Sequence, residues 1–432
     1  MTRSIRNFLA THNLVAVSAR YQEPALNVEQ ELDTTLLADL STTLTYRALK
    51  ATNREEMTGK EEPDRIYDLG GTVSGVLSFS HAQPQHFALV LGYALGEVTT
   101  SPLGEGFRHR IRPLAGEVDV SRSNPSFTAA MRFGRQVMKR RFASCFIDQV
   151  RVELAKEGWA KLSGVVKGTG KVTDNTRLET LSAPFNAGSL TLSQGVEGAT
   201  PEERLANVQA VQVLNPVTQA WEEVHYSAVS GAVPATVTIT PPGGSSGVTS
   251  YRVYYLPRES SWMAFPARVE EPPLKVSQVA VYLGGRWTGT EFVGGHLLSA
   301  ELKRLVWQFS NHLSLERTPG GGTDFANRAF RTGREQKLTL DRDFRDFLLH
   351  QHLKDGDCLG FYLKAQGPEW APGYRYQVEL IFPKVAVVAA PVKTAQRRLA
   401  EEVELAVLED ETHGSVIAYV QNRVSGYAAV RP

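Results

Sequence analysis

Cysteine is almost missing: Cys145 and Cys358 are the only two in 432 residues. They stand far apart with no C-x-x-C spacing, which excludes a disulfide scaffold and a thiolate metal knuckle. Two small apolar side chains in a reducing compartment are expected. Long apolar runs are lacking too. No stretch approaches the ~18 apolar residues that a membrane span needs. The opening MTRSIRNFLATHNLVAVSARYQE has neither a signal-peptide apolar core nor a small-residue cleavage site, so assembly in the cytosol and no membrane partner are expected. Net charge is close to absent: Lys+Arg number 47 and Asp+Glu 46, a formal +1. A dedicated duplex-DNA binder would carry a surplus of phosphate-neutralising cations. A chain with little net charge suits a subunit that packs against copies of itself, and it does not exclude a channel through which DNA slides.

Catalytic constellations are the next absence. No G-x-S-x-G, H-E-x-x-H or kinase-like set occurs, and Pro319-Gly320-Gly321-Gly322-Thr323 lacks the Lys-Ser/Thr of a phosphate-binding loop. His81 and His86 are five apart, not the four that stack two ligands on one helix face, and His350 and His352 are two apart. Asp341, Asp343 and Asp346 read as the solvated, dipole-complementing first turn of a helix. No catalytic residue, cofactor or metal site is expected, and the chain is read as not an enzyme.

What the sequence does have is strand signal. TVSGVLSF (72–79) alternates small or polar with apolar side chains, as does FTAAMRF (127–133). Further strands are expected at 147–154, 162–166, 297–309, 374–382 and 403–407. Gly (36) and Pro (22) punctuate them. Two helices are expected: Gln83 to Leu95, with Pro84 in the first turn and Gly96 closing it, and Asp341 to Leu353, closed by Gly356. Each follows an alternating strand and precedes more strands, the pattern of an internal duplication. Between the halves, short evenly spaced strands and a PPGGSSG loop read as an inserted β-sandwich, with Glu270 to Pro273 as its exit linker. The basic run Arg132 to Phe142 reads as a strand-loop-strand turn at the surface or between subunits.

The order of these segments resembles the tail tube proteins of long-tailed phages, in the group of longer, two-part members. The resemblance rests on NREEMTG (53–59), TVSGVLSFSHAQPQHFALVLGYALG, PLGEGFRH (102–109), the strands SFTAAMRF and CFIDQVRVEL, and GWAKLSGVVKGTG (158–170). The second half enters through LLSAELKRLVWQFSNHLSLERTPGGG and YRYQVELIFPKVAV, so that residues 50–195 and 275–422 are covered. Order and spacing carry the match. Two departures stand out: the family's aromatic-His turn is Phe107-Arg108-His109 here, and the inserted sandwich is not general.

The resemblance implies a mainly β (α+β) fold. It has two tandem tail-tube-like β-sandwich or barrel units, each with a packed short helix, at residues 1–195 and 266–432, and an Ig-like β-sandwich at 196–265. It implies a structural virion protein, assembled in the host cytoplasm, whose sheets join edge to edge into a ring. With two tube units per chain, three copies would give a trimer of pseudo-sixfold symmetry, and the rings would stack into a channel for DNA ejection. Implied partners are the chain itself, the tape measure protein and DNA in the lumen, and tail terminator and baseplate proteins at the ends. For inter-ring docking it points to Arg54, Glu55, Glu56, Met57 and Gly59, and to Thr318, Pro319, Gly320, Gly321, Gly322 and Thr323. For the inner sheet it points to Thr72, Val76, Phe79, Ile147, Val150, Val152, Leu302, Leu305 and Trp307. Lumen-facing side chains are expected to be polar or acidic on balance. A baseplate or tail-hub protein is the alternative within the class. A secreted carbohydrate-binding β-protein, with Trp221, Trp262 and Trp370 as a sugar platform, is the alternative of another class; it would require a signal peptide or a converging carboxylate pair.

Overall fold

The computed structural model describes residues 9–134, 138–244, 247–258, 265–299, 301–395 and 397–431. Arg135, Gln136 and Val137 of the basic run, the serines of the PPGGSSG loop and Trp262 lie outside the described residues. The fold is mainly β, and the chain divides into two compact units. The larger holds residues 16–129, 142–171 and 266–432, so the first and last parts of the sequence share one body.

The larger unit is organised by one long antiparallel sheet. Its strands are β1 (Thr43–Thr52), β2 (Ile66–Phe79), β3 (Met138–Ala155, from Phe142 onward in this unit), β4 (Lys161–Gly168), β5 (Leu302–Ser310), β6 (Glu335–Asp343), β7 (Val392–Ala395) and β8 (Arg398–Val407). Pairing runs β1-β2-β4-β3-β5-β6-β8-β7. The two halves of the sequence meet at β3 and β5, with Val150 opposite Phe309, Val152 opposite Trp307 and Leu154 opposite Leu305. Period-two alternation buries one face: Val73, Leu77, Phe79, Leu162, Val166, Leu338, Leu340, Val403 and Leu405 join those six residues in the core. On that face lies α1 (Pro84–Leu95), all twelve of whose residues are buried. It comes close because β4 has glycine beneath it: a Cβ on Gly164 would sit 3.1 Å from Val90. The end of β8 also pairs with the strand Tyr374–Ala389, Val385 opposite Val407 and Ala386 opposite Ala406, so the sheet folds on into a second layer that covers the other side of α1. Its strands are Gly96–Leu103, Gly106–Pro113, Ile417–Asn422, Tyr374–Ala389, Cys358–Ala371 and Val279–Trp287, in that order.

The smaller unit includes residues 172–258 among those described and is a β-sandwich. A four-stranded sheet (Arg177–Pro184, Val248–Tyr255, Val208–Leu214, Trp221–Glu223) faces a three-stranded one (Ser189–Thr191, Thr236–Ile239, Tyr226–Val229). Leu190, Val211, Val237, Tyr251 and Val253 are in its core. A short helix α2 (Pro201–Asn207) starts on a Thr200–Glu203 capping box. The sandwich begins upstream of residue 196, because RLETLSAP is its edge strand, with Leu181 opposite Tyr251. Composition alone could not separate that strand from those before it.

The second expected helix is shorter than its sequence pattern. Asp341 and Asp343 belong to β6, held by the ladder to Glu402 and Ala400 of β8. Helix α3 spans Leu348–Asp355, with Asp346 accepting from the Leu348 amide (3.1 Å) and Gly356 in the left-handed conformation closing it. Ladder hydrogen bonds outweighed the favourable dipole placement of the aspartates. The strand expected over 297–309 starts at Leu302, with an irregularity between Leu302 and Arg304. Glu270–Pro273 is no exit linker: Glu271 is buried and Leu274 is fixed between Ala82 and Ala160 by backbone bonds of 3.0 and 2.9 Å.

The segment before β1 is tied down by a buried carboxylate. Glu23 is fully enclosed and accepts from Thr128 Oγ1 (2.6 Å), Ser126 Oγ (2.8 Å), the Ser144 amide (2.8 Å) and the Ser144 hydroxyl. Arg122, also buried, donates to the Glu23 carbonyl (2.8 Å) and to Ser126 Oγ (2.6 Å). Burial raises the Glu23 pKa, and the donors around it pull in the other direction. Glu23→Ala leaves these donors without their shared acceptor. A loss of about 3 kcal/mol is expected in urea unfolding, against a change within about 0.5 kcal/mol for the exposed Glu61→Ala.

Candidate assembly surface

The second face of the long sheet is open. Alternation places Thr72, Ser74 and Val76 of β2, Ser163 and Lys167 of β4, and Arg151 and Glu153 of β3 on it. Arg304 and Gln308 of β5, Lys337 and Thr339 of β6, and Glu402 and Glu404 of β8 continue it, with Val165 and the buried Val306 as apolar residues among them. Its charges are of both signs and pair across strands, Arg304 with Glu153 (2.9 Å) and Lys337 with Glu404 (2.7 Å), and along β3, Arg151 with Glu153 (3.2 Å). Burial would raise Glu153, but hydrogen bonds from Arg304 and Arg151 leave its pKa below the usual glutamate value. The face is therefore mostly polar and locally neutralised, not acidic on balance. The nine residues expected on an inner sheet fall on both faces. Thr72 and Val76 look outward. Phe79, Val150, Val152, Leu305 and Trp307 point into the core, Ile147 is buried beside a bulge, and Leu302 sits at the irregular start of β5.

Strands β1 and β2 continue past the sheet as an arm whose residues 61–69 are all exposed. Its tip is fastened by Asn53, whose Oδ1 accepts from the Asp64 and Arg65 amides (3.1 Å each) while its Nδ2 donates to Asp64 (2.8 Å). Arg54, Glu55, Glu56, Met57 and Gly59 occupy the tip in solvent, and Glu56 accepts from the Tyr67 hydroxyl (2.7 Å). The second expected docking loop, Thr318 to Thr323, lies elsewhere. It belongs to a turn seated against the root of the arm, where Gly71 N donates to Asp324 O (3.3 Å) and the Arg317 guanidinium donates to Gly71 O. Gly70, at φ +85°, makes that contact possible; a Cβ there would lie 1.7 Å from Asp324 O. Asn327 fixes the loop through the Thr318 amide (2.9 Å) and hydroxyl (2.7 Å).

The remaining candidates have structural partners. His86 is buried, accepts from the Gln83 amide (3.2 Å) and stacks on Phe79 at 4.0 Å; burial pushes its pKa down to about 3. His350 stands 3.4 Å from the buried Glu401, and His352 is 2.8 Å from Asp357. Arg140 of the basic run is bidentate to Asp174 (2.6 and 2.8 Å). Arg252 covers the Trp221 ring at 4.0 Å, and Trp370 packs edge-on to Tyr376 at 5.1 Å.

No family model matches the chain, and no curated protein does. Among solved structures, the chain is similar to the Hcp1 protein from E. coli at 13% identity and a TM-score of 0.19, over 32% of this chain and 96% of that one. That score is too low to carry a fold assignment.

Sequence reasoning missed Glu271. It lies in a cleft of about 400 Å³ with Arg20, Asp33, Tyr376 and Arg423, and it accepts from the Gln85 amide at the start of α1 (2.7 Å). Burial pushes its pKa up to about 7 despite that bond. A carboxyl whose folded pKa exceeds its unfolded one favours the fold at low pH, and the benefit is lost as pH rises from about 4.5 through 7. Wild-type stability should fall across that window by about 2–3 kcal/mol more than that of Glu271→Gln. Urea melts at pH 4.5 and 8 measure it, and parallel pH profiles for the two proteins would refute the assignment.

Proposed function

We propose that this chain is a structural subunit of a phage tail tube, closing edge to edge into rings that stack around a channel for DNA ejection. The observation that carries the reading is the long sheet itself: one face packed on a core, the other open, polar and charge-paired, with the outer edges of β1 and β7 free of registered partners among the described residues. The β1 edge, ten residues long, is an aggregation hazard unless another strand covers it, and ring closure onto the short β7 edge of a neighbour covers it. The open face then lines the lumen, where self-neutralised charges hold few counterions and resist polyanion binding. The resemblance of residues 50–195 and 275–422 to two-part tube proteins supports three copies per ring. Tape measure protein and DNA inside, and terminator and baseplate proteins at the ends, are the partners, with the virion as location and no catalytic role.

Negative-stain electron microscopy with light scattering at several concentrations tests this. Hollow ring stacks of constant diameter that lengthen with concentration are expected. A discrete particle that never lengthens favours a tail hub instead, and a monomer at every concentration refutes both. Proline scanning of Thr45 and Tyr46 tests the edge, because neighbouring N–H groups in a strand point to opposite sides. One of the two variants should keep the monomer fold yet form no rings; rings from both would remove β1 as the joint.

A further inference from the structure

The cleft that holds Glu271 lies within the larger unit, and segments far apart in sequence contribute to it. Arg20 and Asp33 come from before β1, Glu270 and Glu271 from the middle of the chain, Tyr376 from the second layer, and Arg423 from just past the strand Ile417–Asn422. Its volume of about 400 Å³ falls within the roughly 300–1,000 Å³ of small-molecule sites.

Its charged groups divide into those already matched and those that are not. Asp33 accepts from the Ala19 and Arg20 amides (2.9 and 2.8 Å) and from the Thr34 hydroxyl (2.8 Å). Glu270 pairs with Arg268 at 3.4 Å. Glu271 is different. It is 6% exposed, its Oε2 accepts from the Gln85 amide, and its Oε1 accepts no hydrogen bond. Burial raises its pKa; the Arg423 amide and the Asn422 side chain stand close enough to favour the charge, yet neither completes a hydrogen bond to Oε1. A buried carboxylate oxygen without a donor is costly. The two cations lining the cleft do not supply one: Arg20 and Arg423 are exposed, and their guanidinium groups make no hydrogen bond or ion pair among the described residues.

We propose that this cleft binds a small zwitterion of the basic amino-acid class, its ammonium group donating to Glu271 and its carboxylate held by Arg20 and Arg423. A ligand with positive charge alone would meet two arginines, and one with negative charge alone would meet Glu271, Glu270 and Asp33. A molecule carrying both signs a few bonds apart avoids each like-charge contact. The ammonium supplies the donor that Oε1 lacks, in surroundings where a charge-assisted hydrogen bond is strong. Guanidinium groups suit the other end, since they grip a carboxylate through two parallel N–H donors. This site is independent of ring formation and goes beyond the tube reading.

Isothermal titration calorimetry of the full chain tests it with three probes: L-lysine, cadaverine (L-lysine without its carboxylate) and hexanoate (L-lysine without its amino groups). L-Lysine is expected to bind with a Kd of about 1 mM or below, and the other two about tenfold more weakly. Glu271→Gln should remove L-lysine binding. Arg20→Ala/Arg423→Ala, at exposed positions, should lower it to the cadaverine level, and circular dichroism should match wild type for both variants. The ammonium displaces a proton from a carboxyl that burial pushes up to about 7, so L-lysine should bind about tenfold more weakly at pH 6 than at pH 8. The other titratable groups around Glu271 are Asp33, Glu270, Tyr376 and Tyr427, with His86 on α1 and His109 bonded to Asn422; burial lowers both histidines. No heat from L-lysine, or equal affinity in Glu271→Gln, overturns the proposal. So does cadaverine or hexanoate binding as tightly as L-lysine, or an affinity unchanged between pH 6 and 8.

Discussion

The antiparallel ladder between β3 and β5 is the interaction on which the rest of the larger unit depends. It joins segments more distant in sequence than any hairpin could bring together, and it does so with buried side chains on both strands: Val150, Val152 and Leu154 against Phe309, Trp307 and Leu305. Loop-closure entropy must be met before such a contact forms. Large apolar partners such as Trp307 and Phe309, both essentially inaccessible, supply the burial that offsets it. Once the ladder exists, β4 and β2 extend it on one side, and β6 and β8 on the other. The enclosed face needs a filler, and α1 provides one, apolar on all sides because a sheet lies on each.

Two carboxylates enclosed by this arrangement draw donors from distant segments. Glu23 collects hydroxyl and amide donors near residues 126, 128 and 144, and Arg122 anchors the same segment through its carbonyl. Glu271 meets the first turn of α1, where amide groups have no helical acceptor. Each removes a chain segment from the set of loose connections. Unpaired, either carboxylate would cost more than the fold could spare.

Much of this was legible in the residues, and the losses have physical reasons. The strand at 72–79 and the helix from Pro84 to Gly96 follow from alternation and from end signals that no tertiary contact contradicts. The helix read from Asp341 failed because an amphipathic pattern and an acidic first turn are local preferences, and a neighbouring strand took those residues. Which face of a strand looks outward was beyond the pattern at bulged sites such as Ile147 and Leu302, since one extra residue reverses the parity. The arm tip was legible as a loop. Glu271 was hidden by two prolines that suggested a linker.

Gly70 gives the arm a mechanical character. Its left-handed backbone lets Asp324 press against the chain where the arm leaves the sheet, and Arg317 closes the contact from the same turn. A projection held in this way is a bracket, not a tether. Its angle is set when the chain folds, so any neighbour that met it would find the tip already in position and lose little orientational freedom on contact. Errors of pitch between successive subunits would then be corrected by bending the whole ribbon, a stiff motion, and the spacing of any array built through it would be inherited from one glycine.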